Sequence, residues 1–136
     1  MNRTASLALL PFSGFYGAVT KARLALYNAG VFNAQRIAAP VISVGNITAG
    51  GTGKTPLVEW IARYLANDSY RACILTRGYG RANERERVIV SDGETILADT
   101  TQAGDEAMLL AERLAGQTAV VADFDRASAA RWAIVR

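Results

Sequence analysis

The chain has 136 residues, 51% of them hydrophobic and 20% charged, with a net charge of +3. That size and balance suit one globular domain or part of one and exclude a disordered chain. A single cysteine, Cys73, excludes an internal disulfide and fits a reducing compartment, and the absence of histidine excludes imidazole-based acid–base or metal chemistry within these residues.

In chain order, residues 1–36 form an apolar and basic amino-terminal segment. The run Ala5 to Leu10 is too short to span a bilayer, and Pro11 is expected to interrupt it. From Phe12 the spacing is helical: Phe12, Phe15, Tyr16, Val19, Ala22, Leu26 and Tyr27 share one side of a 3.6-residue wheel. Lys21 lies opposite, and Arg23 falls on the apolar side, where it has to snorkel. No Asp or Glu precedes Glu59, whereas Arg3, Lys21, Arg23, Arg36 and Lys54 do. Such asymmetry calls for an anionic partner surface. The basic residues are sparse and no nucleic-acid motif accompanies them, which favours phospholipid over nucleic acid. This amphipathic helix either packs on its own domain or lies in the headgroup layer of an anionic membrane.

Beyond Pro40 the pattern alternates as in α/β folds. Strand 41–44 leads into Gly45-Asn46-Ile47-Thr48-Ala49-Gly50-Gly51-Thr52-Gly53-Lys54-Thr55-Pro56, followed by a helix over 54–66. Strand, glycine-rich turn, Lys-Thr and helix form the context of a phosphate-binding P-loop. Backbone N–H groups from Thr48 to Gly53 are expected to cradle the phosphates of a nucleoside triphosphate at the positive end of the new helix. Lys54 is placed to reach the β- and γ-phosphates, and the Thr55 hydroxyl to hold Mg²⁺. The strict pattern asks for glycine where Thr48 stands, and Ala49 argues against the variant with an extra lysine before the glycine pair.

A turn at Asn67-Asp68-Ser69 introduces a second strand, 71–75, whose end carries Thr76-Arg77-Gly78-Tyr79-Gly80-Arg81. Ligands of open parallel sheets bind beyond such strand ends, so Arg77 or Arg81 is a candidate phosphate contact. A charged excursion follows with a β-hairpin, 87–90 and 95–97, turning at Ser91-Asp92-Gly93. Gly104-Asp105-Glu106 opens a helix to about residue 114. Acidic groups favour helix starts through the dipole, but one of these carboxylates could also face the γ-phosphate as a base. A third strand, 118–122, and a helix over 125–134 complete the chain. The expected fold is therefore α/β, a P-loop NTPase-like core with a parallel sheet over 37–136, preceded by the amphipathic segment. Such a core ordinarily has another strand ending in an acidic Mg²⁺ residue, so the chain is expected to be the amino-terminal part of a longer protein.

Four features in this order and spacing resemble the tetraacyldisaccharide 4′-kinase family, the lipid A kinases of Gram-negative bacteria. They are Pro11-Phe12-Ser13, the turn from Val44 to Pro56 with Thr48 included, Arg77-Gly78-Tyr79-Gly80, and Ala103-Gly104-Asp105-Glu106. The resemblance covers essentially the whole chain. It implies an ATP- and Mg²⁺-dependent kinase acting on the 4′-hydroxyl of a tetraacyl glucosamine disaccharide 1-phosphate. It further implies a peripheral enzyme on the cytoplasmic face of the inner membrane, docked through its amino-terminal helix, with Asp105 as catalytic base. Glu106 and Arg77 are secondary candidates for substrate or phosphate. The family's Asp-Asp-Gly motif and a later histidine are absent from these residues, so the chain alone is expected to be inactive. The rival reading is a membrane-docked nucleotide switch, which lacks a supporting Asn-Lys-x-Asp motif.

Overall fold

A computed structural model describes residues 3–32, 35–45 and 53–135, with no side-chain description for 3–15. It divides into two compact units, 1–36 and 37–136. The first unit is one helix, α1 (Arg3–Asn28), which runs through Pro11 instead of stopping there. The proline ring fixes φ near the helical value, so the backbone path survives at the cost of one hydrogen bond, a penalty of about 3 kcal/mol. Gly30 ends the helix with φ of 73°, and the amides of Val31 and Phe32 both turn back to the Leu26 carbonyl. Arg23 lies 5.7 Å over the Tyr27 ring, and Tyr27 meets Phe32 at 5.3 Å. Among the described residues no helix is long and apolar enough to cross a membrane.

The second unit is built on three short strands, β1 (Cys73–Thr76), β2 (Val88–Ser91) and β3 (Ala119–Ala122). Their spatial order is β1-β3-β2, so the last strand in sequence is central. β3 pairs in parallel with β1, Cys73 opposite Ala119 through Thr76 opposite Ala122. It pairs antiparallel with β2, with an irregularity between Ile89 and Ser91. The sheet is thus mixed, not parallel. The expected hairpin is not a separate excursion either: its first arm joins the main sheet, while Ile96 makes only an isolated bridge to Ser91. The reason is visible in burial, because Val90 and Ser91 are fully enclosed and an arm so buried needs a paired edge.

Residues 41–44 do not form the expected strand. They pair in no ladder among the described residues, and Val41 and Ile42 are 68% and 61% exposed. A β-branched run alone does not make a strand; it needs a neighbour to take its backbone hydrogen bonds.

Among the described residues four helices accompany these strands: α2 (Lys54–Asn67), α3 (Thr100–Ala103), α4 (Asp105–Arg113) and α5 (Arg126–Ile134). α4 lies on β2 and β3, α2 lies on α4, and α5 lies on β1. Ala103, Ala107, Leu110, Ala111 and Leu114 recur at helical spacing and are 0–3% exposed, packing on Val90, Val120 and Ala122. The short α3 is not among the expected elements, although Asp99 and Gln102 form a reciprocal capping box that is readable as Asp-x-x-Gln. A lock joins three elements behind the sheet. Arg87 Nε donates to Asp123 Oδ2 at 2.6 Å, and its Nη2 donates to Ser128 of α5 at 2.7 Å.

Cys73, on β1, is held in apolar surroundings that push its thiol up to about 11. At pH 8 only about one thiol in a thousand is then ionised, and the thiolate is the reactive form. Native protein should react with Ellman's reagent orders of magnitude more slowly than protein in 6 M guanidinium. Equal rates in the two conditions would show that β1 does not shelter the thiol.

Candidate functional site

Two helix beginnings meet beyond the carboxyl ends of β1 and β3. The first belongs to α2. Gly53 precedes it with φ of 74° and ψ of 27°, a left-handed conformation that suits glycine. No side chain caps this helix. Its first-turn amides and positive dipole end are therefore available to an anion. Lys54 and Thr55 are its first two residues, with Lys54 exposed. Pro56 sits third, where a missing N–H costs nothing in hydrogen bonding. Thr48, Ala49, Gly50, Gly51 and Thr52, the expected phosphate cradle, lie outside the described residues.

The second beginning belongs to α4, with Asp105 and Glu106 in its first turn. Thr55 Oγ1 donates to Glu106 Oε1 at 2.8 Å, joining positions 51 residues apart. The two carboxylates are thus separated in role by geometry. Glu106 faces Thr55, while Asp105 is exposed at the helix tip and makes no side-chain hydrogen bond to the described residues. A threonine hydroxyl beside a carboxylate oxygen is a pair of hard donors, the chemistry Mg²⁺ selects. It is a poor phosphate contact, since two anions would face each other.

The loop after β1 determines where α4 begins. Gly104 has φ of 82°, and a Cβ there would lie 2.5 Å from the Tyr79 carbonyl oxygen. Gly78, with φ of 63°, is equally confined: a Cβ would meet the Ala103 carbonyl at 2.8 Å and the Ala122 Cβ at 2.9 Å. The Arg77–Arg81 loop and the Gly-Asp-Glu turn therefore touch backbone to backbone. Beneath them Arg81 is only 4% exposed. Its guanidinium donates to the carbonyls of Glu84 (2.5 Å), Glu86 (2.6 Å) and Ala122 (3.0 Å). Arg81 is consequently a strut for the loop and not a phosphate contact, because it is buried and both terminal nitrogens, Nη1 and Nη2, donate to backbone acceptors. Arg77 remains exposed, its guanidinium 5.9 Å over the Phe124 ring. Arg77, Tyr79, Glu84 and Phe124 line an open cavity of about 120 Å³. The part of Phe124 was not legible: an aromatic following a strand end looks the same whether it is packed or presented.

A bare helix start after a left-handed glycine is paired with an acidic helix start at the open end of a mixed sheet in an α/β domain. The family model "Tetraacyldisaccharide-1-P 4′-kinase" matches residues 5–136. The tetraacyldisaccharide 4′-kinase of Pelobacter propionicus is 41% identical over 98% of this chain and 37% of its own length. That of Chlorobaculum parvum is 46% identical over 90% of this chain and 34% of its own. The crystal structure of LpxK from Aquifex aeolicus in complex with ATP superposes with a TM-score of 0.81 at 38% identity, covering 95% of this chain and 40% of that one. The chain belongs to the tetraacyldisaccharide 4′-kinase family and spans little more than a third of the length of these relatives.

Replacing Gly104 by alanine should lower the urea midpoint, since a forced left-handed residue costs about 1–3 kcal/mol and here also drives a carbonyl away. Gly80→Ala is the natural comparison, because Gly80 has φ of 81° but open space around a Cβ. Gly104→Ala should be the more damaging of the two. Equal midpoints would remove the close-approach argument.

Proposed function

We propose that these residues form the nucleotide-binding part of an ATP-dependent kinase that phosphorylates the 4′-hydroxyl of a tetraacyl glucosamine disaccharide 1-phosphate. The observation that carries it is the head of α2: Lys54 and Thr55 follow a left-handed glycine, and the Thr55 hydroxyl meets the Glu106 carboxylate at 2.8 Å. Membership in a family whose relatives are named as this kinase supports it, as does a solved relative crystallised with ATP.

In this reading the backbone of Thr48 to Gly53 wraps the phosphates, and the Lys54 ammonium neutralises charge on the β- and γ-phosphates. Thr55 and Glu106 would hold Mg²⁺, completed by phosphate oxygens. Among the described residues no group of three Asp, Glu, Cys or His side chains gathers, which fits a cation that leans on its nucleotide. A cation held by these two residues would supply charge stabilisation to the phosphate oxygens. Asp105, free of Thr55, accepts the proton of the sugar hydroxyl as its oxygen bonds to the γ-phosphorus. The bond to the β–γ bridging oxygen breaks, and ADP leaves. Arg77, beside Tyr79 and Phe124, offers a cation and two rings to the phosphorylated sugar.

Membrane docking belongs to the same proposal. Tyr16, Val19, Leu26 and Tyr27 of α1 are exposed, Arg23 lies against Tyr27, and no acidic residue occurs among residues 1–58. An apolar face with cations at its edge suits the headgroup layer of anionic phospholipid. The site would then work on the cytoplasmic face of the inner membrane, where ATP is available.

A sugar hydroxyl is a weak nucleophile at neutral pH, and a positioned base contributes roughly 10²–10⁴ in rate. Asp105→Asn in the full-length enzyme should lower kcat by about that factor with ATP affinity preserved. Normal kcat with a lowered melting temperature would instead make Asp105 a helix-start residue. In vesicle sedimentation, deleting residues 1–30 from the full-length protein should release it from phosphatidylglycerol-containing vesicles. Continued co-sedimentation would place the anchor elsewhere.

A further inference from the structure

α2 and α4 are joined a second time, well behind the Thr55–Glu106 contact, around the carboxylate of Glu59. Glu59 stands one turn after Thr55 and its side chain is 18% exposed. Its Oε1 accepts from Arg63 Nε at 3.2 Å and Nη2 at 3.0 Å, on the same helix. Its Oε2 accepts from Arg113 Nη1 at 2.9 Å, on α4. Arg63 Nη2 also donates to the Arg113 carbonyl at 2.6 Å, so the last turn of α4 receives a cation where its dipole favours one. Both arginines hold the Glu59 carboxyl below the ordinary carboxylate range, Arg113 contributing more than Arg63.

We propose that Glu59 is a positioning residue, fixing the register of α2 on α4 and thereby the spacing of Thr55 and Glu106. The inference rests on the reading of those two residues as the MgATP end of the site. Three points set this cluster apart from an ordinary surface ion pair. It joins different elements, both carboxylate oxygens are used, and Arg63 is also tied to the backbone of the partner helix. The two helices run in the same direction, with Thr55 facing Glu106 at one end and Arg63 facing Arg113 at the other. A helix rises 1.5 Å per residue and is stiff over such lengths, so a slide at Arg63 is carried about 12 Å to Thr55. A slide of roughly 1 Å would stretch a 2.8 Å hydrogen bond beyond useful length. With Glu59 neutralised, two guanidinium groups would also face each other without their shared anion.

The test uses the full-length enzyme with Glu59→Gln, Arg113→Gln and the double variant, measuring KM for MgATP, the Mg²⁺ concentration for half-maximal activity, kcat and melting temperature. Each single variant should raise KM for MgATP and the Mg²⁺ requirement about two- to fivefold, the range expected of partly exposed ion pairs. The double variant should be no worse than the more affected single, because both changes remove the same tether. Glu59→Asp, one methylene shorter but still charged, should lie between Glu59→Gln and wild type. Unchanged KM and Mg²⁺ dependence in folded Glu59→Gln would overturn the proposal, as would additive effects in the double variant. Should Glu59→Gln not fold, Arg113→Gln and Glu59→Asp decide by the same criteria. Lys54→Ala separates the two levels. If calorimetry shows wild-type ATP binding in that variant, the nucleotide reading itself fails. If Lys54→Ala abolishes binding while Glu59→Gln changes nothing, only the positioning role is lost.

Discussion

The absence of a side chain at Gly104 allows the loop after β1 to lie directly on the start of α4. The Tyr79 carbonyl occupies the place a Cβ would take, 2.5 Å away, and Gly78 returns the contact against the Ala103 carbonyl. Both glycines have positive φ, so conformation and close approach are demanded at the same positions. Most of the site follows from that contact. It sets where α4 begins, which carboxylate turns toward Thr55, and where Arg77 and Tyr79 emerge. Arg81 fastens the loop from below with three carbonyl acceptors, at 2.5–3.0 Å. One of its nitrogens, Nε, is buried with no hydrogen-bond partner among the described residues. A loop on glycines alone would be loose; the buried guanidinium makes it a fixed wall.

Charge is arranged around this wall with the same economy. Residues 1–58 contain no carboxylate, and Glu59 and Glu106 are used where helices meet. Asp123, just past the end of the central strand, has the position of a cation ligand. It is spent instead on Arg87 through Oδ2 and on the Asp125 amide through Oδ1, and is 6% exposed. Its neighbour Asp125 caps α5 through the amides of Ala127 and Ser128. Asp105 is left facing solvent at the head of α4.

What was legible in the sequence were features whose cause is local. Gly53-Lys54-Thr55 announced a helix start after a left-handed turn, the α2 and α4 boundaries fell within a residue or two, and β3 appeared as an apolar run. What escaped depended on partners distant in the chain. The run 41–44 has strand propensity but no neighbour to pair with among the described residues. The run 88–91 looked like half of a hairpin because turn residues follow it, yet its ladder partner is β3, some thirty residues on. Arg81 and Arg77 were equivalent as basic residues in a glycine loop. Only burial separates them, and burial follows from the Ala122 carbonyl 41 positions away. The residue pattern by itself does not separate Glu106 from Asp105, two acids at a helix start; the contact of Glu106 with Thr55 does.

The composition of α4 shows how the fold gives its two helix heads a common position. Its buried stripe contains Ala107, Leu110 and Ala111, continued by Ala103 at the end of α3 and by Leu114 just past the end of α4. Alanine has no rotamers to settle and lets the helix backbone approach the sheet closely, so the axis is set by backbone contact as much as by side-chain packing. Val120 and Ala122 of the central strand are the surfaces it rests on, and Ala62 brings α2 against the same cluster. A larger residue at any of these alanines would lift α4 from the sheet, and Gly104, already in contact with Tyr79, leaves no slack at the helix head to absorb the movement. The small residues of the core and the glycines of the rim therefore serve one geometric end. They hold Glu106 within hydrogen-bonding distance of Thr55 while Asp105, one residue earlier on the same turn, remains turned to the open side.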